Sequence, residues 1–330
     1  MLIATPNLAV DRTVRLPELR PGSVLRPSRA VVTAGGKGVN VGRVVAAFGR
    51  RATLVGFVAD VDAAVLTRLF GLEPFDLAGV AVPGEARVAT IYLEDSGRVT
   101  VLNEPGPEIS ADDWRRYEQR IAAELAREPH ESLVCSGSLP PGVPGDGYAR
   151  LVAIGHEAGV RVVVDAARGA LAEALAAGPD VVTPNLAEAD GVLSGHAHEP
   201  VDGTGQPQTA RHACAAVRAL CQRGARSAAV TAGAAGTAFG DDREVYWVPT
   251  VPVRVVNPIG AGDSFVGGLV HALETGRTPV DAVTFAVATA TASVEQELAG
   301  GVDPDRAGQL AARLAGAACR ERDLLTEAVP

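Results

Sequence analysis

The stretch Asn257-Pro258-Ile259-Gly260-Ala261-Gly262-Asp263-Ser264-Phe265 holds the parts needed to meet an anion beside a proton acceptor. Pro258 breaks the extended run over residues 249–256, and two glycines permit a tight turn. Phe265, Val266, Leu269, Val270 and Leu273 then recur at helical spacing. Backbone N–H groups at such a helix start have no intrahelical acceptor, and with the helix dipole they attract negative charge. Asp263 stands in that first turn. Most first-turn carboxylates only stabilise their helix, but here glycines clear room for a ligand, which makes Asp263 a candidate to face that ligand. The segment is not a dinucleotide fingerprint, because Phe265 occupies the place of the third glycine. It is not a P-loop either, since no Gly-Lys-Ser/Thr follows.

A second glycine cluster, Ala34-Gly35-Gly36-Lys37-Gly38-Val39-Asn40, also leads into an apolar helix (Val41, Val44, Val45, Phe48). Glycines let a backbone approach a ligand, and Lys37 and Asn40 offer donors to hydroxyls or a phosphate. Read alone, it is equally a glycine-rich turn with a solvated lysine. Two further polar clusters follow apolar runs: Ser136-Gly137-Ser138-Leu139-Pro140-Pro141-Gly142, and Thr183-Pro184-Asn185-Leu186-Ala187-Glu188. Open α/β sheets bind ligands beyond the carboxyl ends of their strands, where these clusters fall. Asn185 and Glu188, three apart at a helix start, can support a hydrated Mg²⁺ or simply cap the helix. His196-x-His198 has no further ligand partners, so no metal site is expected there.

These residues need a scaffold, and the pattern supplies one. Continuous Val/Ile/Ala runs at 54–58, 132–135, 160–164, 181–183 and 228–231 suit strands buried on both faces. Amphipathic segments lie between them at 111–127, 148–157, 209–223 and 280–297, the first opened by Ser110 and Asp113 as a capping box. Such alternation predicts an α/β fold with helices on both faces of a parallel sheet. Residues 11–34 and 86–102 break the rhythm with strand-only patterns, the second a hairpin turning at Asp95-Ser96-Gly97. Together they predict either surface decoration or a small β-sheet lid, assembled from about 11–34 and 85–104, on a single domain spanning 1–330. The loop at 195–207 is the one composition biased toward flexibility.

The 330 residues are 47% hydrophobic and 21% charged, which excludes a disordered or coiled-coil chain. A net charge of −9 with no Lys/Arg run argues against a nucleic-acid partner. No apolar stretch reaches the ~18 residues of a membrane span, and no leader pattern opens the chain. Cys135, Cys214, Cys221 and Cys319 form no C-x-x-C pair and read as small buried side chains. A cytoplasmic protein is expected.

The motifs taken together resemble the PfkB-type, ribokinase-like carbohydrate kinases. Gly35-Gly36-Lys37-Gly38-Val39-Asn40 resembles the family's N-terminal signature and Gly260-Ala261-Gly262-Asp263 its C-terminal one, in the right order over essentially the whole chain. Three features resemble the branch acting on sugar phosphates. They are the opening Thr5-Pro6-Asn7-Leu8-Ala9-Val10-Asp11-Arg12-Thr13-Val14, the segment Asn103-Glu104-Pro105-Gly106-Pro107, and residues 136–142. The resemblance implies a three-layer sandwich with a mostly parallel central sheet and a β lid. It implies ATP-dependent phosphorylation of a ketose phosphate, with fructose 1-phosphate the first choice. Tagatose 6-phosphate, fructose 6-phosphate, a free sugar, or a non-catalytic sensor are the alternatives.

By the same resemblance Asp263 is the general base, and the amides of Gly260, Ala261 and Gly262 hold the charge on the transferred phosphoryl group. Asp11, Gly36, Asn40 and Asn103 grip sugar hydroxyls. Lys37, Arg26, Arg87 and Ser138 hold the substrate's own phosphate, with Arg26 and Arg87 in lid strands. The nucleotide lies near Asn185, Thr231, Gly233 and Gly236, and Mg²⁺ is held through water near Asn185 and Glu188. An exposed lid can pair with the lid of a second copy.

Overall fold

The computed structural model describes residues 1–27, 29–194 and 206–324. From the N-terminus run β1 (Leu2–Ala4), β2 (Ala9–Leu16), β3 (Arg29–Gly35), α1 (Lys37–Ala47), β4 (Thr53–Ala59), α2 (Ala63–Phe70), β5 (Asp76–Val82), β6 (Arg87–Glu94) and β7 (Val99–Asn103). The middle alternates helix and strand: α3 (Ala111–Arg127), β8 (Ser132–Ser136), α4 (Gly147–Glu157), β9 (Arg161–Asp165), α5 (Arg168–Ala176), β10 (Val181–Val182) and α6 (Leu186–Ser194). Then come α7 (Gln206–Gln222), β11 (Ala228–Thr231), β12 (Gly236–Gly240), β13 (Val245–Pro249), α8 (Ala261–Glu274), α9 (Pro279–Ser293), α10 (Pro304–Leu314), β14 (Cys319–Arg320) and α11 (Glu321–Leu324). His196-x-His198 and nearly all of the 195–207 loop lie outside the described residues.

Ten strands form one sheet in the order β14-β13-β12-β11-β10-β9-β8-β1-β4-β5. From β11 to β5 every pairing is parallel, while β12, β13 and β14 extend the sheet antiparallel. Neighbouring residues of the buried strands belong to opposite sides, which is why these strands read as unbroken apolar runs. Leu2 and Ala4 pack in one core and Ile3 in the other; Leu133 and Cys135 oppose Val134 in the same way. Trp114 and Tyr117 of α3 and Tyr148 of α4 fill the first core. Phe265 and Leu269 of α8 fill the second together with Val39 and Val41 of α1. The capping box at α3 forms as expected: Ser110 Oγ accepts from the Asp113 amide and Asp113 Oδ2 from the Ser110 amide, each at 3.1 Å.

Three differences from the sequence pattern have local causes. The extended run over 249–256 is a strand only to Pro249, since Pro252 has no N–H for a ladder. β5 and β12 were not legible: their glycines and alanines carry little strand signal, and their pairing is what orders them. β13, Val-Tyr-Trp-Val-Pro, does carry a strand signal, and the sequence reading passed over it. α9 stops at Ser293, not 297, which frees the carbonyl of Glu297 to accept from Asn257 Nδ2 at 2.9 Å.

The small sheet has the order β3-β2-β6-β7. Two antiparallel pairs, β2–β3 and β6–β7, are joined by parallel pairing of β2 with β6. Its register lines up Thr33, Asp11, Ala89 and Asn103 as one cross-strand row. Because β1, β8, β9, β10 and β11 run parallel, their carboxyl ends share one edge of the large sheet. That edge presents Asn7, Ser136, Ser138, Asp165, Asn185 and Thr231. All four cysteines are free, and among the described residues no helix is long and apolar enough to cross a membrane.

Candidate active site

Gly260 takes φ +82° immediately before α8, and a Cβ there would press on the Gly300 amide at 3.0 Å and Asn40 Nδ2 at 3.2 Å. The turn therefore needs glycine for both its conformation and its neighbours. Gly262 differs: a Cβ would meet nothing within 4 Å, so open space lies over the first turn of α8. Within that turn the Ser264 amide bonds the Gly260 carbonyl at 2.8 Å and the Ala261 amide bonds that of Pro258 at 3.3 Å. The amides of Gly262 and Asp263 are left for a ligand. Ala261 thus has a partner within its own loop.

Asp263 is 7% exposed, and its Oδ2 accepts from Asn40 Nδ2 at 2.7 Å. Burial pushes its carboxyl well above the usual carboxylate range. Lys37 and the Asn40 hydrogen bond pull it back, whereas the charges of Asp165 and Asp11 push it further up. A buried acid of raised pKa in hydrogen-bond contact with a donor is equipped to take a proton near neutral pH.

The partner residues come from α1, where Lys37, Asn40 and Arg43 fall on one face at a spacing of three. Gly36, φ +117°, caps that helix. The helix lies flush on β1 because Gly38 carries no side chain: a Cβ would sit 2.5 Å from Thr5 Cβ. Lys37 Nζ reaches Asp165 at 3.4 Å and Glu188 Oε1 at 3.7 Å. Burial weakens its charged form, but Asp165, Glu188 and Asp263 outweigh that and hold its pKa above the usual lysine range. Its side chain is 37% exposed, so the cation faces the site opening.

Asn185 and Glu188 form a reciprocal cap. Asn185 Oδ1 accepts from the Glu188 amide at 2.8 Å, and Glu188 Oε2 accepts from the Asn185 amide at 2.9 Å. Thr231 pairs beside Asn185, which brings those residues together at one sheet edge. Gly233 has φ +55° with open space around it. Gly236 is glycine for a different reason, since a Cβ would lie 2.5 Å from the Trp247 ring and the Val248 carbonyl. Among the described residues no group of three or more His, Cys, Asp or Glu side chains is arranged to hold a metal. The carboxylates of Asp165 and Glu188 both converge on Lys37. That set fits a divalent ion bound mainly by phosphate oxygens and water, not by an all-protein cage.

Asp11 sits on β2 with its carboxyl over Gly35, where a Cβ would lie 1.9 Å from Oδ1. Burial raises its pKa to about 6, opposed by Arg43 and Arg87. Arg87, first in β6, donates from Nε to the Asn7 carbonyl at 3.2 Å, and burial lowers its pKa against the pull of Asp11. Asn103 lies exposed in the same cross-strand row as Asp11. A cavity of about 150 Å³ separates this face of the small sheet (Asp11, Thr13, Val31, Thr33) from Leu298 and Ala299. Arg26 departs from expectation: it is exposed on the connection between β2 and β3, outside both strands. Nothing in the local pattern of 17–27 continues a strand, and three prolines and a glycine (Pro17, Pro21, Gly22, Pro27) interrupt it.

Three residues that sequence reasoning passed over are built into the site. Asn7 Nδ2 donates to the Pro105 carbonyl at 3.1 Å and to Ser138 Oγ at 3.0 Å, joining three loops. Asp165 accepts from Ser136 Oγ at 3.0 Å as well as from Lys37. Arg43 donates to Asn40 Oδ1 at 3.1 Å. The place of Asp165 at the end of a predicted strand was a usable signal. For Asn7 and Arg43 only a partner far along the chain reveals the role.

A buried carboxyl at a glycine-lined helix start, facing a lysine at the carboxyl edge of a mostly parallel sheet, suits phosphoryl transfer to an alcohol. Residues 5–306 match the pfkB family carbohydrate kinase model. The chain belongs to this family, and it is an ATP-dependent carbohydrate kinase with the ribokinase-like fold. It is 33% identical over 293 residues to the 1-phosphofructokinase of Haloferax volcanii, covering 88% of this chain and 90% of that protein. It is 32% identical over 271 residues to the 1-phosphofructokinase of Rhodobacter capsulatus, covering 82% of each. Phosphofructokinase-2 from Escherichia coli, solved in complex with potassium, superposes with a TM-score of 0.84 at 26% identity, over 96% of this chain and 99% of that one.

Proposed function

We propose that this kinase phosphorylates a ketose phosphate, with fructose 1-phosphate as the acceptor and fructose 1,6-bisphosphate as the product. The observation that carries the reading is the buried Asp263 carboxylate, held by Asn40 and electrostatically coupled to Lys37, beside the open space at Gly262. In this reading Asp263 takes the proton of the sugar hydroxyl as that oxygen bonds the γ-phosphorus of ATP. The bond from the γ-phosphorus to the β–γ bridging oxygen breaks, and ADP leaves. Amides at the start of α8, Gly262 foremost with Gly260 and Ala261 shaping the turn, hold the charge on the transferred group.

Asp11, Gly36, Asn40 and Asn103 line the sugar side, and Arg87, Ser138 and Lys37 supply donors and charge for its phosphate. Arg26 joins them only through closure of the small sheet, which thereby acts as a lid over a single domain spanning 1–330 and excludes water from the reaction. Asn185, Thr231, Gly233 and Gly236 take the nucleotide side. Asn185 and Glu188 would hold Mg²⁺ through water, and the ion would supply positive charge to the triphosphate. Val31, Val32, Val101 and Leu102 leave the small sheet with exposed apolar area that a second copy's lid would cover. Four unpaired cysteines accord with a reducing compartment, the cytoplasm.

An ADP-release assay over fructose 1-phosphate, fructose 6-phosphate, tagatose 6-phosphate, free fructose and ribose tests the reading. The expected order has fructose 1-phosphate highest in kcat/KM. Higher kcat/KM on a free sugar than on any phosphorylated ketose would overturn it, and turnover of none would favour a non-catalytic sensor.

A further inference from the structure

The guanidinium of Arg43 is 5% exposed and has five N–H bonds to place. Nε donates to Glu73 Oε2 at 2.8 Å and Nη2 to Glu73 Oε1 at 2.5 Å. Nη2 also donates to the Ala34 carbonyl at 2.8 Å, and Nη1 to the Ala299 carbonyl at 3.0 Å and to Asn40 Oδ1 at 3.1 Å. Every donor is used, on four separate pieces of chain: the end of β3, α1, the segment after α2, and the loop before α10.

We propose that Arg43 is a positioning residue of the kinase, which locks the Asn40 amide in the one orientation that donates to Asp263. Asn40 has an acceptor end and a donor end. As placed, its oxygen meets the guanidinium and its nitrogen meets the carboxylate at 2.7 Å. Turning the amide over would set oxygen against carboxylate and NH₂ against guanidinium, so both contacts would become repulsive. Arg43 therefore removes the alternative, steering Asp263 Oδ2 onto Asn40 and leaving Oδ1 for the acceptor hydroxyl. The same cation grips the Ala34 carbonyl beside Gly35 and Gly36, where the small sheet joins α1, so the setting of the base is tied to the root of that sheet. Besides Asn40, the groups that act on Asp263 are Lys37 on α1, Asp165 at the end of β9 and Asp11 on β2. Of these, Arg43 influences Asp11.

The inference rests on Asp263 as the base, and the experiment separates the two. Arg43→Lys keeps a positive charge beside Asp11 but cannot serve five acceptor atoms on four residues. Its kcat should fall roughly ten-fold or more, with KM for ATP within about two-fold. The acid limb of its kcat profile should move to higher pH, because an Asp263 that has lost its donor retains its proton longer. In an Asn40→Ala background the same change should cost less than about two-fold, since Arg43 then has nothing to orient. Arg43→Gln with Glu73→Gln removes both buried charges together and guards against a variant that cannot fold; it should shift the acid limb in the same direction. Glu73→Gln alone should lower Tm and leave the limb in place. The inference is overturned if Arg43→Lys costs as much with Asn40→Ala as without it, or if the variants lose only Tm. If Asp263→Asn keeps the wild-type rate, the base reading fails instead, whatever Arg43 does.

Discussion

Two glycine-rich turns open two helices at this site, and they look alike in the sequence but answer to different demands. At 35–38 the protein's own atoms require glycine: the Asp11 carboxyl lies over Gly35, and Thr5 and Ile3 crowd Gly38. At 260–262 the requirement is divided. Gly260 is squeezed by Gly300 and Asn40, whereas Gly262 borders empty space. Nothing in the folded chain requires glycine at 262, and it leaves open space at a helix start beside the buried Asp263. Glycine count does not separate the two cases; the neighbours do.

The sharpest break in this contrast comes from Asp263, the proposed base. Asp263→Asn should lower kcat by ~10² or more while leaving binding of the ketose phosphate, read by calorimetry, within about three-fold. An unchanged rate would strip the second turn of its chemistry. Next is Gly262→Ala, which should lower kcat/KM for ATP by roughly ten-fold or more. Its Tm should hold or rise, because alanine is favoured over glycine inside a helix by about 1 kcal/mol. Wild-type kinetics in that variant would mean the open space is unused. Gly35→Ala should behave in the opposite way: Tm falls as the buried Asp11 carboxyl is displaced, and KM for the sugar rises by roughly ten-fold. A variant with unmoved KM would remove Asp11 from the sugar side.

The pH dependence follows from the burial of Asp263. A base works with its proton off, and burial holds the folded-state pKa above the ordinary value of about 4. Activity is therefore full at higher pH and lost as pH falls through the raised pKa, well before ordinary carboxylates titrate. A kcat/KM profile for the saturating-ATP reaction whose acid limb sits at about 4 would contradict this. The smallest effect concerns the two arginines. Arg87→Ala should raise KM for a phosphorylated ketose roughly ten-fold, and Arg26→Ala, from its exposed position, by less. The reverse order would place the 17–27 connection over the sugar.

Much of the site was legible because its signals are local. Asp263 after Gly260 and Gly262, Lys37 and Asn40 after Gly35 and Gly36, and Asn185 with Glu188 each show their character within a few residues. The parallel strands were legible for the same reason, since burial on both faces leaves an unbroken apolar run. β5 and β12 were not, because glycine- and alanine-rich strands are ordered by their pairing partners. Nor were Asn7 and Arg43, whose meaning depends on Pro105 and on Asn40's bond to Asp263, whereas Asp165 at the end of a predicted strand offered a signal that went unused. Arg26 was misplaced because a basic residue between two strand patterns carries no mark of which strand, if either, holds it.

Periodicity, turn chemistry and two glycine-rich helix starts set, from the residues alone, most of the parallel strands, the helices between them and the two turns that open α1 and α8. Tertiary structure alone decided that Asn40 meets Asp263 across 223 residues and that Lys37 rests between Asp165 and Glu188. It also decided which glycines serve the fold and which leave space. The reason is physical: backbone preference acts over a few residues, whereas burial, which raises the Asp263 pKa and aligns its partners, exists only once distant segments have packed.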